Sequence, residues 1–90
     1  MSKHMIQKIH APISVAFVYN HLKQEVHPVK ICWEGRQYTV TTIGLHHTVR
    51  DGRTLFHIFS VETASLFFKL ALNTESLHWS VEEIADGEPN

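Results

Sequence analysis

The chain has 90 residues, 43% of them hydrophobic, and a formal net charge of −1 at pH 7. This length accommodates one small domain with a limited core, and the near-neutral charge gives no overall attraction to nucleic acid or anionic membranes. The single cysteine, Cys32, excludes an internal disulfide, and no apolar run approaches the roughly 20 residues of a membrane span, so we expect a cytoplasmic location.

Apolar and polar residues alternate with the period of two that is typical of half-buried strands. This pattern predicts six strands, over residues 13–20, 29–34, 36–45, 55–61, 66–72 and 77–84. Residues 20–27 interrupt it and are expected to form a loop or one helical turn, the only place where helix is expected. The third strand changes register near Thr41-Thr42, which predicts a bulge there.

Turn-forming residues separate these strands. Glu34-Gly35 predicts a tight hairpin turn, and Asp51-Gly52 is the strongest local signal because such pairs tolerate the positive φ angles of two-residue hairpins. We find no repeats or linkers. The predicted fold is therefore all-β, a single domain over residues 1–90 in which an antiparallel six-stranded meander curls into a small barrel or a two-layer sheet. Residues 1–10 and 85–90 are expected to be flexible.

The predicted strand over residues 55–61 is apolar on both faces. Phe59 and Val61 lie on one face, and Phe56 and Ile58 lie on the other. Such a strand is central and covered on both faces, either by the first strand folding over it or by a partner subunit. A curled sheet covers only one face easily, so we expect a homo-oligomer, a homodimer, with Phe56, Ile58 and Phe67 at its interface.

The residue types that commonly act in catalysis or metal binding do not form a recognisable motif. The chain has eight histidines, but they lack the spacing of metal ligands, and the side chains of adjacent His46 and His47 should diverge in a strand. Glu82 and Glu83 should diverge in the same way. Phosphate-binding glycine loops and a nucleophile elbow are absent. We therefore predict a non-enzymatic binding or accessory module without catalytic residues, metal or cofactor.

Nucleic-acid binding is the alternative function, since small β-barrels can present aromatic residues beside a basic groove. The candidate contacts are the basic residues around the two hairpin turns, namely Lys30, Arg36, Arg50 and Arg53. A protein partner is the other possibility, and its identity is open.

Trp33, Gly35, Arg36, Tyr38 and Val40 form a pattern Trp-x-Gly-Arg-x-Tyr-x-Val, and the chain closes with Trp-x-Val and Ile-x-Asp over residues 79–86. In these motifs the chain resembles a group of short bacterial β-rich domains of unknown function. Some members are encoded near DNA-damage-tolerance polymerases, which implies an accessory role in DNA metabolism. The chain departs from the group at residues 46–47, where two histidines replace its usual tryptophan. The resemblance implies no catalytic residues.

Overall fold

The computed structural model describes residues 6–86, which form eight β-strands and no helix. The strands are β1 (Ile6–Pro12), β2 (Ser14–Asn20), β3 (Glu25–Trp33), β4 (Arg36–Thr39), β5 (Thr42–Asp51), β6 (Thr54–Glu62), β7 (Leu66–Asn73) and β8 (Trp79–Asp86). In this part of the chain no helix is long and apolar enough to cross a membrane.

The strands form two antiparallel sheets, and neither sheet closes into a barrel. One sheet has five strands in the order β1-β8-β7-β6-β5, and the other has three in the order β2-β3-β4. The chain changes sheet twice, at Ile13 between β1 and β2 and at residues 40–41 between β4 and β5. The first and last described strands are neighbours, because Ile6 pairs with Ala85.

The core lies between the two sheets. On β6, β7 and β8 of the five-stranded sheet, side chains at every second position point to the core, with one extra residue between Val81 and Ile84 where the β7–β8 pairing shifts register. The core residues of these strands are Phe59, Val61, Phe68, Leu70, Leu72, Trp79, Val81 and Ile84. Ile31 meets them from the three-stranded sheet, and ring contacts join Tyr38 to Phe68 (5.2 Å) and Phe17 to Trp79 (5.5 Å).

Two short hairpin turns set the register of their strands. Trp33 pairs with Arg36, so Glu34 and Gly35 are the central residues, and their φ angles of 51° and 79° suit a type I′ turn. In the second hairpin Asp51 pairs with Thr54, so Gly52, with a φ of 63°, is the first central residue, as in a type II′ turn. Both predicted hairpins are confirmed, the second with its turn shifted by one residue.

The all-β antiparallel fold is confirmed, but the prediction of six strands is wrong. Residues 6–12, which carry Lys8, His10 and Pro12, form an additional strand against β8. The predicted strand over residues 36–45 is two strands, β4 and β5, which lie in different sheets. The chain passes between the sheets where a bulge was expected, and the bulge lies further along, between Ile43 and His46.

Smaller differences concern the turns and the ends. Residues 20–27 form no helix: β2 and β3 include their ends and leave a short turn over residues 21–24. Leu77, expected in the last strand, precedes β8 with a φ of 63° and is 65% exposed. Of the ends expected to be flexible, residues 6–10 and 85–86 belong to β1 and β8, and the rest lies outside the described residues.

Candidate functional site

The candidate functional surface is the outer face of the five-stranded sheet, which points away from the three-stranded sheet. Residues directly opposite each other on neighbouring strands share a face, and the register aligns His47, Ile58, Ala71 and Ser80 in one row of it. Together with Phe56 from the next row, Ile58 and Ala71 line an open groove of about 530 Å³. These apolar side chains lie among polar and charged residues that also line the groove, including Asp51, Lys69 and Glu82.

A second groove of about 460 Å³ lies at the other end of the same face. It is lined by Phe67, which is 38% exposed, and by Ile6, Leu45 and Ala85. The register places Ile6, Ala85 and Phe67 opposite one another on three adjacent strands. This end of the outer face therefore presents a second exposed apolar patch.

A charged row separates the two apolar ends. Glu83 pairs with Lys69 on one side and with Lys8 on the other, and the Lys69 Nζ lies 3.6 Å from the Glu83 Oε2. His47, Lys69 and Glu83 line both grooves. The outer face is therefore one continuous surface with apolar ends and a centre of alternating charge.

His10, Glu82 and Ser80 form a polar cluster at the edge of the first groove. The His10 Nδ1 lies 2.9 Å from both carboxylate oxygens of Glu82, and the Ser80 hydroxyl donates to the Glu82 Oε2 at 2.6 Å. Burial acts to raise the pKa of Glu82, but the hydrogen bonds from Ser80 and His10 outweigh it and leave that pKa below its ordinary value. Ser80 donates to the carboxylate and not to an imidazole, so the cluster differs from an activated serine nucleophile.

The predicted interface residues all occur on the outer face. Phe56 and Ile58 are half-buried in the first groove, and Phe67 lines the second. Phe56 pairs with Asn73 and Phe67 with Glu62, at opposite ends of the β6–β7 pair. About 20 Å of strand separates them, so the three residues mark both ends of one face and not a single cluster.

The four predicted basic contacts are all exposed, but they do not form one patch. Arg50 and Arg53 flank the β5–β6 turn, whereas Arg36 lines a depression with Thr63 and Ser65 at the opposite end of β6. Lys30 lies in the three-stranded sheet and lines a shallow depression there. Only Arg50 and Arg53 are close in the fold.

The structure also shows a histidine pair that sequence analysis missed. The His46 Nε2 lies 2.6 Å from the His57 Nδ1, and the His46 ring stacks on Phe59 with centroids 4.4 Å apart. Burial, followed by the neighbouring His57, lowers the pKa of His46. His47 points to the opposite face, into the grooves described above. The predicted divergence of His46 and His47 is therefore confirmed, whereas that of Glu82 and Glu83 is wrong: β8 shifts register at these residues, and both line the first groove.

The remaining candidate ligands do not converge. His27 bonds to Glu25 at 3.1 Å on β3, and Cys32 is exposed on the three-stranded sheet. Within residues 6–86 there is no group of three or more His, Cys, Asp or Glu side chains arranged to hold a metal ion.

Comparisons of this chain with known families, with curated proteins and with solved structures gave no match.

Proposed function

We propose that the protein is a non-enzymatic binding module that associates with a second copy of itself through the outer face of its five-stranded sheet. The observation that carries the proposal is the open groove over the apolar side chains of Phe56 and Ile58, together with the exposed Phe67 on the same face. Extended apolar patches with polar surroundings are typical of protein interaction sites, whereas single exposed apolar residues are common everywhere.

The arrangement of charge suits contact between identical faces. In a two-fold dimer the same surface is used by both subunits, so it must be complementary to itself. The row of Lys8, Glu83 and Lys69 alternates in sign, which allows a lysine of one copy to lie near the glutamate of the other. The apolar ends can then pack against each other, as the inner faces of stacked sheets do.

The test is the mass in solution, measured by light scattering after size-exclusion chromatography. We expect a dimer for the wild type and a monomer for Phe56→Glu and Phe67→Glu, because each change places a charge in the apolar contact. Phe67→Glu is the more informative variant, since Phe67 is 38% exposed and contributes less to the core. Leu22→Glu is the matched control, because Leu22 is 91% exposed in the turn between β2 and β3.

Circular dichroism of each variant establishes that it is folded before its mass is interpreted. A folded Phe67→Glu variant with the mass of the wild type would overturn the proposed interface. Loss of the dimer in Leu22→Glu would also contradict it, because that residue lies outside the outer face.

The nucleic-acid alternative rests on Arg50 and Arg53, the two basic residues that the fold keeps together. The same chromatography with a short single-stranded oligonucleotide at low salt tests it. A monomer that co-elutes with the oligonucleotide, and no longer does so after Arg50→Gln and Arg53→Gln, would favour this alternative over the binding module. It would also agree with the role in DNA metabolism that the resemblance implies.

A further inference from the structure

Over its last six residues, His46 to Asp51, the edge strand β5 lacks the lysine, proline and bulge that usually prevent edges from pairing; its register shift lies before them, between Ile43 and His46. Proteins protect sheet edges with short strands, lysine, proline and bulges. At the other edge of the same sheet, β1 contains Lys8 and Pro12 and shifts register between Lys8 and Ala11. β5 is ten residues long, contains neither lysine nor proline, and runs without a bulge from His46 to Asp51.

The hydrogen-bonding pattern shows which backbone groups of β5 point outward. In an antiparallel pair, residues alternate between bonding to the partner strand and pointing away from it. The Leu55 carbonyl accepts from the Thr74 amide at 3.1 Å, so it points away from β5. Its partner Arg50 is therefore in a non-hydrogen-bonded pair, and the N–H and C=O groups of Arg50, Thr48 and His46 face the open edge.

We propose that β5 pairs antiparallel with β5 of a second copy, with Val49 opposite Val49 at the two-fold axis. The inference goes beyond the face contact proposed above and does not depend on it, because it uses the edge of the sheet and not its face. In this register the outward-facing backbone groups of Thr48 bond to those of Arg50 of the second copy. Two copies then form one continuous ten-stranded sheet.

Side-chain complementarity selects this register. Val49, which is 44% exposed, meets its own copy, and His47 lies opposite Asp51 of the second copy, which places an imidazole beside a carboxylate on each side of the axis. All five paired residues lie in the bulge-free part of β5. If the two-fold axis passed through His47 and not through Val49, His47 would lie opposite its own copy and the pairing would extend into the bulge between Ile43 and His46.

The contact is testable by disulfide trapping, which also captures weak association. A contact confined to one strand edge belongs to the small and weak class of interfaces, so mass alone is an insensitive measure. Residues in a non-hydrogen-bonded antiparallel pair have Cα atoms about 4.5 Å apart, within disulfide reach. In a Cys32→Ser background, we expect Val49→Cys to form a disulfide-linked dimer under mild oxidation.

Two single-cysteine variants serve as matched controls on the same strand. In the proposed register, His47→Cys would lie about 13 Å from its own copy, beyond the roughly 7 Å limit for a disulfide, and Leu45→Cys would lie further still. Leu45 is 70% exposed against 44% for Val49, so random collision would favour Leu45→Cys. Cross-linking at His47→Cys or Leu45→Cys equal to that at Val49→Cys would overturn the register.

A proline at Thr48 tests the backbone contact directly. The Thr48 N–H faces the open edge, so Thr48→Pro removes a donor without breaking the β5–β6 pairing. We expect Thr48→Pro to reduce the Val49→Cys cross-link at least tenfold and the matched Thr48→Val to leave it unchanged.

Phe67→Glu separates the two proposals: if it abolishes the cross-link while Thr48→Pro does not, the association uses only the outer face and the edge pairing is wrong. If Phe67→Glu leaves the mass and the cross-link unchanged, the edge pairing stands and the face contact falls.

Discussion

Phe67 and Phe68 are neighbours on β7 that provide a direct test of the two faces of the five-stranded sheet. Phe68 points inward, is 2% exposed and contacts the Tyr38 ring, whereas Phe67 points outward and is 38% exposed. Replacing each with alanine removes the same atoms from positions one residue apart. The two variants therefore differ only in what surrounds the ring.

The expected loss in the free energy of unfolding differs between the two variants because the two rings differ in burial. Removing a fully buried phenylalanine from a packed core costs about 3–5 kcal/mol, because a cavity remains. Removing Phe67, which is 38% exposed, leaves no enclosed cavity, and only the covered part of its surface contributes, which corresponds to about 1–2 kcal/mol. A domain of this size has a free energy of unfolding of roughly 5–13 kcal/mol, so Phe68→Ala removes a large fraction of the stability and Phe67→Ala a small one.

Urea unfolding followed by tryptophan fluorescence measures the free energy of unfolding of both variants. The protein concentration is kept low so that association does not contribute. Trp79 is buried beside Phe17 and Phe59 and reports on the core. We expect the midpoint to fall substantially further for Phe68→Ala than for Phe67→Ala. Equal shifts in dilute protein would refute the assignment of inner and outer faces.

Three further predictions concern charge and turns. Because burial and then His57 lower the pKa of His46, the folded chain binds this proton less readily than the unfolded chain, and stability should decrease as the pH falls below 6.5. Thermal melts between pH 5 and 8 check this, and His46→Gln should flatten the dependence. Glu34→Asn should raise the unfolding free energy by about 0.5 kcal/mol, since asparagine accepts the positive φ of the turn better; an unchanged urea midpoint would contradict it. Glu82→Gln should remove a stabilisation that is present above pH 4.5 and lost as the pH falls through the lowered carboxyl pKa, so wild type and variant should converge in acid melts.

Most of the inner face could be predicted from the sequence. Phe68, Leu70 and Leu72 alternate with Phe67, Lys69 and Ala71, and the structure places the first three inward and the others outward. The prediction succeeded because a strand with one buried face places apolar side chains at every second position. The turns at Gly35 and Gly52 could be predicted because glycine tolerates their φ angles.

The parts that could not be predicted depend on contacts between distant residues. β1 carries Lys8, His10 and Pro12, so its local pattern is weak, and it becomes a strand because β8 offers it a partner. The change of sheet at residues 40–41 has the same local signal as a bulge. His46 and His57 meet diagonally across the β5–β6 hairpin, because the turn lies one residue later than the Asp-Gly pair suggests; the earlier turn would have placed them directly opposite each other.

The pairing of β1 with β8 has a consequence for synthesis of the protein. The three-stranded sheet is built from residues 14–39 and can form while the rest of the chain is still on the ribosome, but the five-stranded sheet needs both β1 and the final strand. Contacts between residues far apart in the chain are slow to form because the intervening loop must be closed first. Until Trp79–Asp86 has left the ribosome, the edge of β7 has no partner strand and the Phe59 ring lacks its contact with Trp79. Unpaired strand edges and exposed apolar surface of this kind favour aggregation until the sheet is complete.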